Sequence, residues 1–317
     1  LQGKSFTGGA TIPIRRHPTL GPKVFIAGNA ASVTNERLRG AFGATGVDAM
    51  VGSPQLAADR ARPGDTVLGR LDVRPTLDGV QPGLGRLLQL RDRGARIVNG
   101  ADALVASHDK LATALTLHAA SVPHPRGMHA LEPDASPDFE GPYVVKPRFG
   151  SWGRDVYLCE SRDELRVRLW GLCRRPWFLR HGALVQELIP PQGFDLRLIV
   201  SGGTVVGAVK RLAAPGEWRT NIALGGSRRR TSPSLEACSL AVRAAAAIGG
   251  DLVGVDLLPD EHGWRVIEIN GAVDFTDEYA LDGGDVFARA VQPFVRDRSS
   301  EDRESTAAFA ALAAVPA

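Results

Sequence analysis

Cysteine is scarce in this chain, with three among 317 residues, at Cys159, Cys173 and Cys238, showing neither a pairing pattern nor metal-ligand spacing. That excludes a disulfide scaffold and a thiolate zinc site. It favours a reducing compartment, with the cytoplasm as the expected location. Long apolar runs are missing too, since no stretch approaches the roughly 18 uncharged apolar residues of a membrane-spanning helix. Aromatics make up only 6% and the formal net charge is +3. A nucleic-acid binder shows a concentrated basic face with interleaved aromatics, and none is visible here. The one dense basic cluster, Arg228-Arg229-Arg230, reads as a solvated loop. The seven histidines are scattered, and no Ser/His/Asp or Cys/His arrangement for nucleophilic catalysis stands out. Ala27-Gly28-Asn29-Ala30-Ala31-Ser32 lacks the glycine spacing of a dinucleotide fingerprint.

What is present is an ordinary globular composition, 44% hydrophobic and 23% charged, with length for two or three modest domains. Residues 1–22, rich in Gly, Thr and Pro, read as an irregular arm. Short apolar strands at Val24 to Gly28, Val47 to Val51, Thr66 to Leu71 and Arg96 to Asn99 then alternate with helices at Asn35 to Phe42 and Gly83 to Arg93. That alternation predicts an α/β unit with a mainly parallel sheet over 23–101. Asp102 to Ala120 reads as one Ala- and Leu-rich helix, stopped by Ser121-Val122-Pro123. After a Pro/Asp-rich link, Leu131 to Pro142, the pattern turns antiparallel. Strands are expected at Tyr143 to Lys146, Val156 to Cys159, Leu184 to Ile189, Leu196 to Val200 and Thr204 to Lys210. Helices are expected at Ser161 to Leu172 and Ser232 to Ile248. This gives units at 102–187 and 188–297 and a tail at 298–317.

Several positions carry chemistry. Lys146 ends a strand and is followed by Gly150-Ser151-Trp152-Gly153, a loop whose N–H groups can approach an anion closely; no Gly-Lys-Ser/Thr ends it, so it is not a Walker A loop. Gln186-Glu187-Leu188 ends a buried strand, where a carboxylate and the next N–H can hold an adenine. Asp195-Leu196-Arg197 and Lys210-Arg211 lie on paired strands in apolar context, and a buried guanidinium requires an anion. Arg219-Thr220-Asn221 follows in a polar loop closing on Gly225-Gly226. In the hairpin from Leu252 to Ile269, Glu268 and Asn270 share a face, Ile267 and Ile269 take the other, and pairing brings Asp256 alongside. Two carboxylates and an amide oxygen make a hard, all-oxygen site suited to Mg²⁺ or Mn²⁺.

In this order the motifs resemble those of ATP-grasp ligases of the RimK/LysX group, over Val24 to Phe294. The resemblance implies an ATP-grasp fold, α/β and α+β, behind an N-terminal parallel α/β domain. It implies that Lys110, Lys146 and the Gly150, Ser151 and Gly153 loop contact ATP phosphates. Glu187 and the Leu188 backbone would hold adenine, Asp195 would lie near the ribose or the nucleotide lysine, and Arg197 would join the nucleotide site. Arg211, Arg219 and Asn221 would face the γ-phosphate, and Asp256, Glu268 and Asn270 would hold two Mg²⁺ ions. The implied reaction activates a carboxylate as an acyl phosphate and joins it to an amine. Asp109 to Leu115, Val122 to Pro125 and Trp218 to Asn221 look closer to LysX-type enzymes, whose carboxylate is a glutamate on an acidic carrier protein. Gly271, Asp274 and Phe275 would face the amine acceptor. The other readings are a RimK-type ligase adding glutamate to a protein or peptide end, and an ATP- or ADP-binding regulatory module without turnover. Dimers or tetramers are common among similar ligases.

Overall fold

In a computed structural model, residues 23–295 are described; the arm at 1–22 and the tail at 298–317 lie outside them. Among the described residues the chain forms three sheets. The first comprises β1 (Val24–Gly28), β2 (Ala49–Gly52), β3 (Thr66–Arg70) and β4 (Arg96–Val98), all parallel, in the order β2-β1-β3-β4. β1 and β3 are buried along their whole length, which explains their unbroken apolar character. Helices α1 (Val33–Ala44), α2 (Pro54–Arg60) and α3 (Leu84–Asp92) complete the unit. α1 and α2 start where Ser32 and Ser53 hydroxyls accept the Asn35 and Leu56 N–H groups, as helix N-caps do.

The helix expected at Asp102 to Ala120 is broken. α4 (Ala101–His108) ends at Asp109, which has an extended backbone and caps α5 (Lys110–Ala119) by accepting the Leu111 N–H. The break has a tertiary cause. Lys110 N donates to the Arg148 carbonyl and Arg148 makes a two-pronged ion pair with Asp109, so the chain pairs there with another segment instead of itself. α4 and α5 pack against the C-terminal strand β13 (Gly263–Asn270), α4 also meets α3 and β3, and α5 also meets α8 (Leu235–Ala247).

The central sheet holds β5 (Gly127–Ala130), β6 (Tyr143–Pro147), β7 (Tyr157–Cys159) and β8 (Ala183–Glu187) in the order β5-β8-β6-β7. With α6 (Arg162–Leu172) and α7 (Pro176–His181) it encloses its own core around Tyr143, Val145, Leu165, Leu169, Trp177 and Phe178. β5 and α7 were not legible as elements; both are short and stand on pairing and packing.

The third sheet runs β11-β10-β9-β12-β13, with β9 (Phe194–Ser201), β10 (Thr204–Leu212), β11 (Ser227–Arg230) and β12 (Leu252–Asp260). The arginine run read as a loop is therefore the exposed edge strand β11, its charges discouraging further strand addition. One face of this sheet packs on α8 and Leu117 of α5. The other shares a core with β1, β3, α1 and the helical residues 286–295. The N-terminal and C-terminal sheets are thus joined by apolar packing, while the central sheet stands across a cleft.

Candidate active site

That cleft is open to solvent and holds about 990 Å³ of space between its walls. Val144, Ile189, Phe194, Leu258 and Ile267 line part of it with apolar surface suited to a flat ring. Ile267 was expected on the opposite face from Glu268. A β-bulge corrects this: Asp256 pairs with Glu268 but Leu257 pairs with Val266, so Ile267 is the extra residue and reaches the cleft. Ile269, beyond the bulge, is buried in the core.

The polar end of the cleft is a charged ladder crossing four strands. Register sets Arg211 on β10 opposite Asp195 on β9, Arg197 on β9 opposite Asp256 on β12, and Asp256 opposite Glu268 on β13. Arg211 holds Asp195 in a two-pronged pair and also reaches Asp256 at 2.8 Å. Arg197 grips Asp256 with two bonds of 2.6 Å. The Thr220 hydroxyl donates to Asp195 at 2.6 Å, tying the 218–221 loop to the ladder. Asp195 and Asp256 are each 1% exposed. Burial alone would raise the Asp256 pKa, yet Arg197 and Arg211 outweigh it and hold the carboxyl below the usual carboxylate range.

At the next step of the ladder, Lys110 Nζ lies 2.9 Å from Glu268 Oε1 and donates to the Gly150 carbonyl at 2.5 Å. The break at Asp109 is what turns this lysine into the site. Lys146 lines the same cleft. Its pKa falls to about 8, chiefly because the ammonium is desolvated and secondly because Lys110 repels it. The unfolded value is 10.5, so this group makes stability rise with pH between about 8 and 10.5 rather than fall. For ligand binding the sign reverses. A phosphate favours the charged amine, so ATP affinity is expected to weaken by up to about tenfold per pH unit above pH 8. ATP titrations at pH 7, 8 and 9 check this, and a flat profile contradicts it.

The glycine loop is held by Arg219, whose Nη1 donates to the carbonyls of Gly153 and Val156 while Glu217 binds the rest of the guanidinium. Those bonds to Arg219 pull the Glu217 pKa down to about 2. Gly153 has φ +71°, and a Cβ there would lie 2.8 Å from Asn221 Oδ1. Gly153→Val is therefore expected to displace Asn221 and weaken ATP binding at least about tenfold, combining backbone strain with a clash at the ligand wall. Calorimetric titration with ATP measures it.

The structure distributes the remaining residues as follows. Glu187 and Leu188 line the cleft with Gly150, Ser151, Gly153 and Asn221. The Glu187 carboxylate binds the backbone N–H and side chain of Arg126, both at 2.8 Å. The Leu188 N–H, assigned to adenine, is committed to the Pro142 carbonyl at 2.9 Å because the strand pairing continues past β8. Asp195 lines the cleft and anchors Arg211 and Thr220. Arg197, placed at the nucleotide, is occupied by Asp256 and is not part of the cleft wall. Asn270 leaves Nδ2 buried without a partner. Phe275 does not face an acceptor: it is 3% exposed and stacks on Phe287 with ring centres 4.7 Å apart. Asp274 lies 3.7 Å from Arg70, and Gly271 is buried against Ser107 and His108. Arg148 and Glu217 had no role assigned from sequence, and Thr220 was placed only in the polar loop, since polar side chains that act by holding a neighbour carry no motif of their own.

The RimK-like ATP-grasp domain family matches residues 125–288. The chain is 34% identical over 212 residues to a probable alpha-L-glutamate ligase of Xanthomonas euvesicatoria pv. vesicatoria (strain 85-10), covering 65% of this chain and 70% of that one. It is 32% identical over 249 residues to probable alpha-L-glutamate ligase 1 of Shewanella amazonensis (strain ATCC BAA-1098 / SB2B), covering 74% and 81%. The chain belongs to the RimK-like ATP-grasp family. The fold agrees: the crystal structure of a RimK domain protein from Sphaerobacter thermophilus DSM 20745 superposes with a TM-score of 0.58 at 21% identity, over 80% of this chain and 92% of that one. As a RimK-like ATP-grasp protein it is an ATP-dependent ligase that joins a carboxylate to an amine through a C–N bond.

Proposed function

We propose that this ligase activates a glutamate carboxylate as an acyl phosphate and passes it to the amine of an amino acid. The observation that supports this reading most is the ladder Asp195–Arg211–Asp256–Glu268–Lys110. It sets alternating charges along one wall of the cleft, with apolar surface beside it. Lys146, Lys110 and the loop N–H groups would take the ATP phosphates, and Arg211, Arg219 and Asn221 would face the γ-phosphate. A carboxylate oxygen attacks the γ-phosphorus and ADP departs. The amine nitrogen then attacks the acyl carbon, phosphate leaves with that oxygen, and one amine proton is lost. Positioning and charge neutralisation carry such a transfer, so no nucleophilic side chain is required.

Among the described residues, no group of three His, Cys, Asp or Glu side chains is set to hold a metal ion. The donor chemistry nonetheless fits Mg²⁺. Glu268 is paired in register with Asp256, and Asn270, two residues along β13, would add an amide oxygen. Glu268 and Asn270 would hold the ion first; Asp256 joins only by sharing its oxygens with Arg197 and Arg211. The ion supplies charge neutralisation for the phosphates. Two ions, or Mn²⁺ in place of Mg²⁺, match the same donors.

A second reading has glutamate as the amine and a peptide end as the carboxylate, and the relatives described as alpha-L-glutamate ligases favour it. A glutamate on an acidic carrier protein is the LysX-type version of the first. Incubation with ATP, Mg²⁺, a glutamate-ended peptide and a panel of amino acids separates them. Phosphate release coupled to a product heavier by one amino-acid residue is expected. Tight ATP binding with no phosphate from any pair contradicts the ligation.

A further inference from the structure

Beyond β3 the chain doubles back over residues 72–81 before α3 begins. Val73 bridges Val80 in antiparallel fashion, the Arg74 N–H donates to the Gly79 carbonyl at 2.9 Å, and the Gln81 N–H donates to the Asp72 carbonyl at 2.8 Å. At the tip Leu77 has φ +59°, a left-handed conformation that a bulky residue holds only when its surroundings enforce it. Those surroundings belong to another part of the molecule. Leu77 is 6% exposed and packs in the core of the central sheet with Phe139, Tyr143, Trp177 and Phe178.

Charge and backbone fasten the same tip. The Asp78 carboxylate pairs with Arg180 of α7, and the Asp78 carbonyl lies 3.0 Å from His181 Nε2. The reverse exchange occurs beside the glycine loop. Phe149, at the root of that loop, is 8% exposed and packs in the core of the parallel sheet with Val73, Leu87 and Leu104. Its ring meets the His181 ring edge-on, with centres 5.0 Å apart. At the far end of the loop, Arg154 Nη1 donates to the Pro75 carbonyl at 3.3 Å. Each unit thus plants one apolar side chain in the core of the other, and the glycine loop is fastened close to both. None of Leu77, Asp78, Phe149 and Arg180 lines the cleft.

We propose that residues 72–81 are a clasp that sets the Gly150 to Gly153 loop in its binding position before nucleotide arrives, with Leu77 and Asp78 as positioning residues. Arg219 holds the loop from the cleft side, and Arg154 and Phe149 tie it to the N-terminal unit. The Gly150 carbonyl accepts from Lys110, so the position of the loop is passed on to the charged ladder. A protein already in the competent arrangement needs no part of the nucleotide's binding energy to reach it. If loosening the clasp leaves about one molecule in ten competent, apparent affinity falls about tenfold, while the bound form keeps its geometry. This rests on the nucleotide occupying the cleft, and not on the identity of the carboxylate or the amine.

The test measures ATP binding with Mg²⁺ by calorimetry, and amide hydrogen exchange over residues 148–156, in the full chain without any ligation substrate. Leu77→Ala is expected to weaken ATP binding about tenfold and to speed exchange across 148–156 in the free protein. At saturating ATP, exchange there should return to the level of the unsubstituted protein. Leu77→Ala also leaves a cavity in the central core. Asp78→Arg leaves none, and sets like charges against Arg180 and Arg74. It should weaken ATP binding about threefold, and adding Arg180→Asp to it should recover most of that loss. Unchanged affinity in both variants overturns the clasp and leaves the nucleotide site standing, even where the melting temperature falls. Weaker binding with unaltered exchange across 148–156 overturns it as well. No ATP binding by the unsubstituted protein overturns the nucleotide site itself, and the clasp with it.

Discussion

Glu268→Gln is expected to abolish ligation, lowering kcat by at least about 10³-fold, while the protein still folds. The amide has the same shape, so packing around Ile269 and the β12–β13 pairing persists. What disappears is the charge facing Lys110 at 2.9 Å, next in register to Asp256. A divalent cation loses its strongest donor, because Asp256 is already held by two arginines. The thermal midpoint should move by only a few degrees, since Lys110 keeps its bond to the Gly150 carbonyl. Turnover and thermal melting measured on one preparation settle it. Near-normal kcat rules out Glu268 as the central charge of the site.

Arg211→Met should be the most destabilising single change in the cleft. Arg211 is the shared partner of Asp195 and Asp256, and removing it leaves two buried carboxylates short of a cation. Breaking a buried pair from one side costs about 3–5 kcal/mol. In a chain of this length that corresponds to roughly 5–8 °C in Tm. Arg197 still holds Asp256 and Thr220 still holds Asp195, which keeps the figure toward the lower end. Asp195→Ala combined with Arg211→Met should cost less than the two separately, because the second change removes a charge the first has stranded. The pH dependence has a definite sign. The Asp256 pKa is depressed in the folded protein, so its pair contributes fully above the ordinary value of 3.8 and is lost as pH falls below it. Arg211→Met should flatten that acid limb of the stability curve.

How much of this was legible in the sequence depended on distance along the chain. Period-2 alternation located the β12–β13 hairpin and put Glu268 beside Asn270, because both facts are local. The bulge that turns Ile267 into the cleft was not readable, since it depends on which residue of β12 faces which residue of β13. Asp195 and Arg211 were recognisable as ionised groups in apolar strands, but not as partners of each other, which only the β9–β10 register decides. The break at Asp109 was hidden by good helical residues on both sides and by an arginine 39 positions later that competes for its backbone and side chain. Phe275 was misread because a motif places a residue in sequence and not in the core.

In the proposed reaction a carboxylate is activated by phosphoryl transfer in the cleft framed by the Asp195–Lys110 ladder. Supplying the donor with oxygen-18 in its reacting carboxylate tests this directly by mass analysis of the phosphate released during ligation. Transfer of one labelled oxygen into each phosphate is the predicted result. Phosphate free of label, with product formed, would contradict the account.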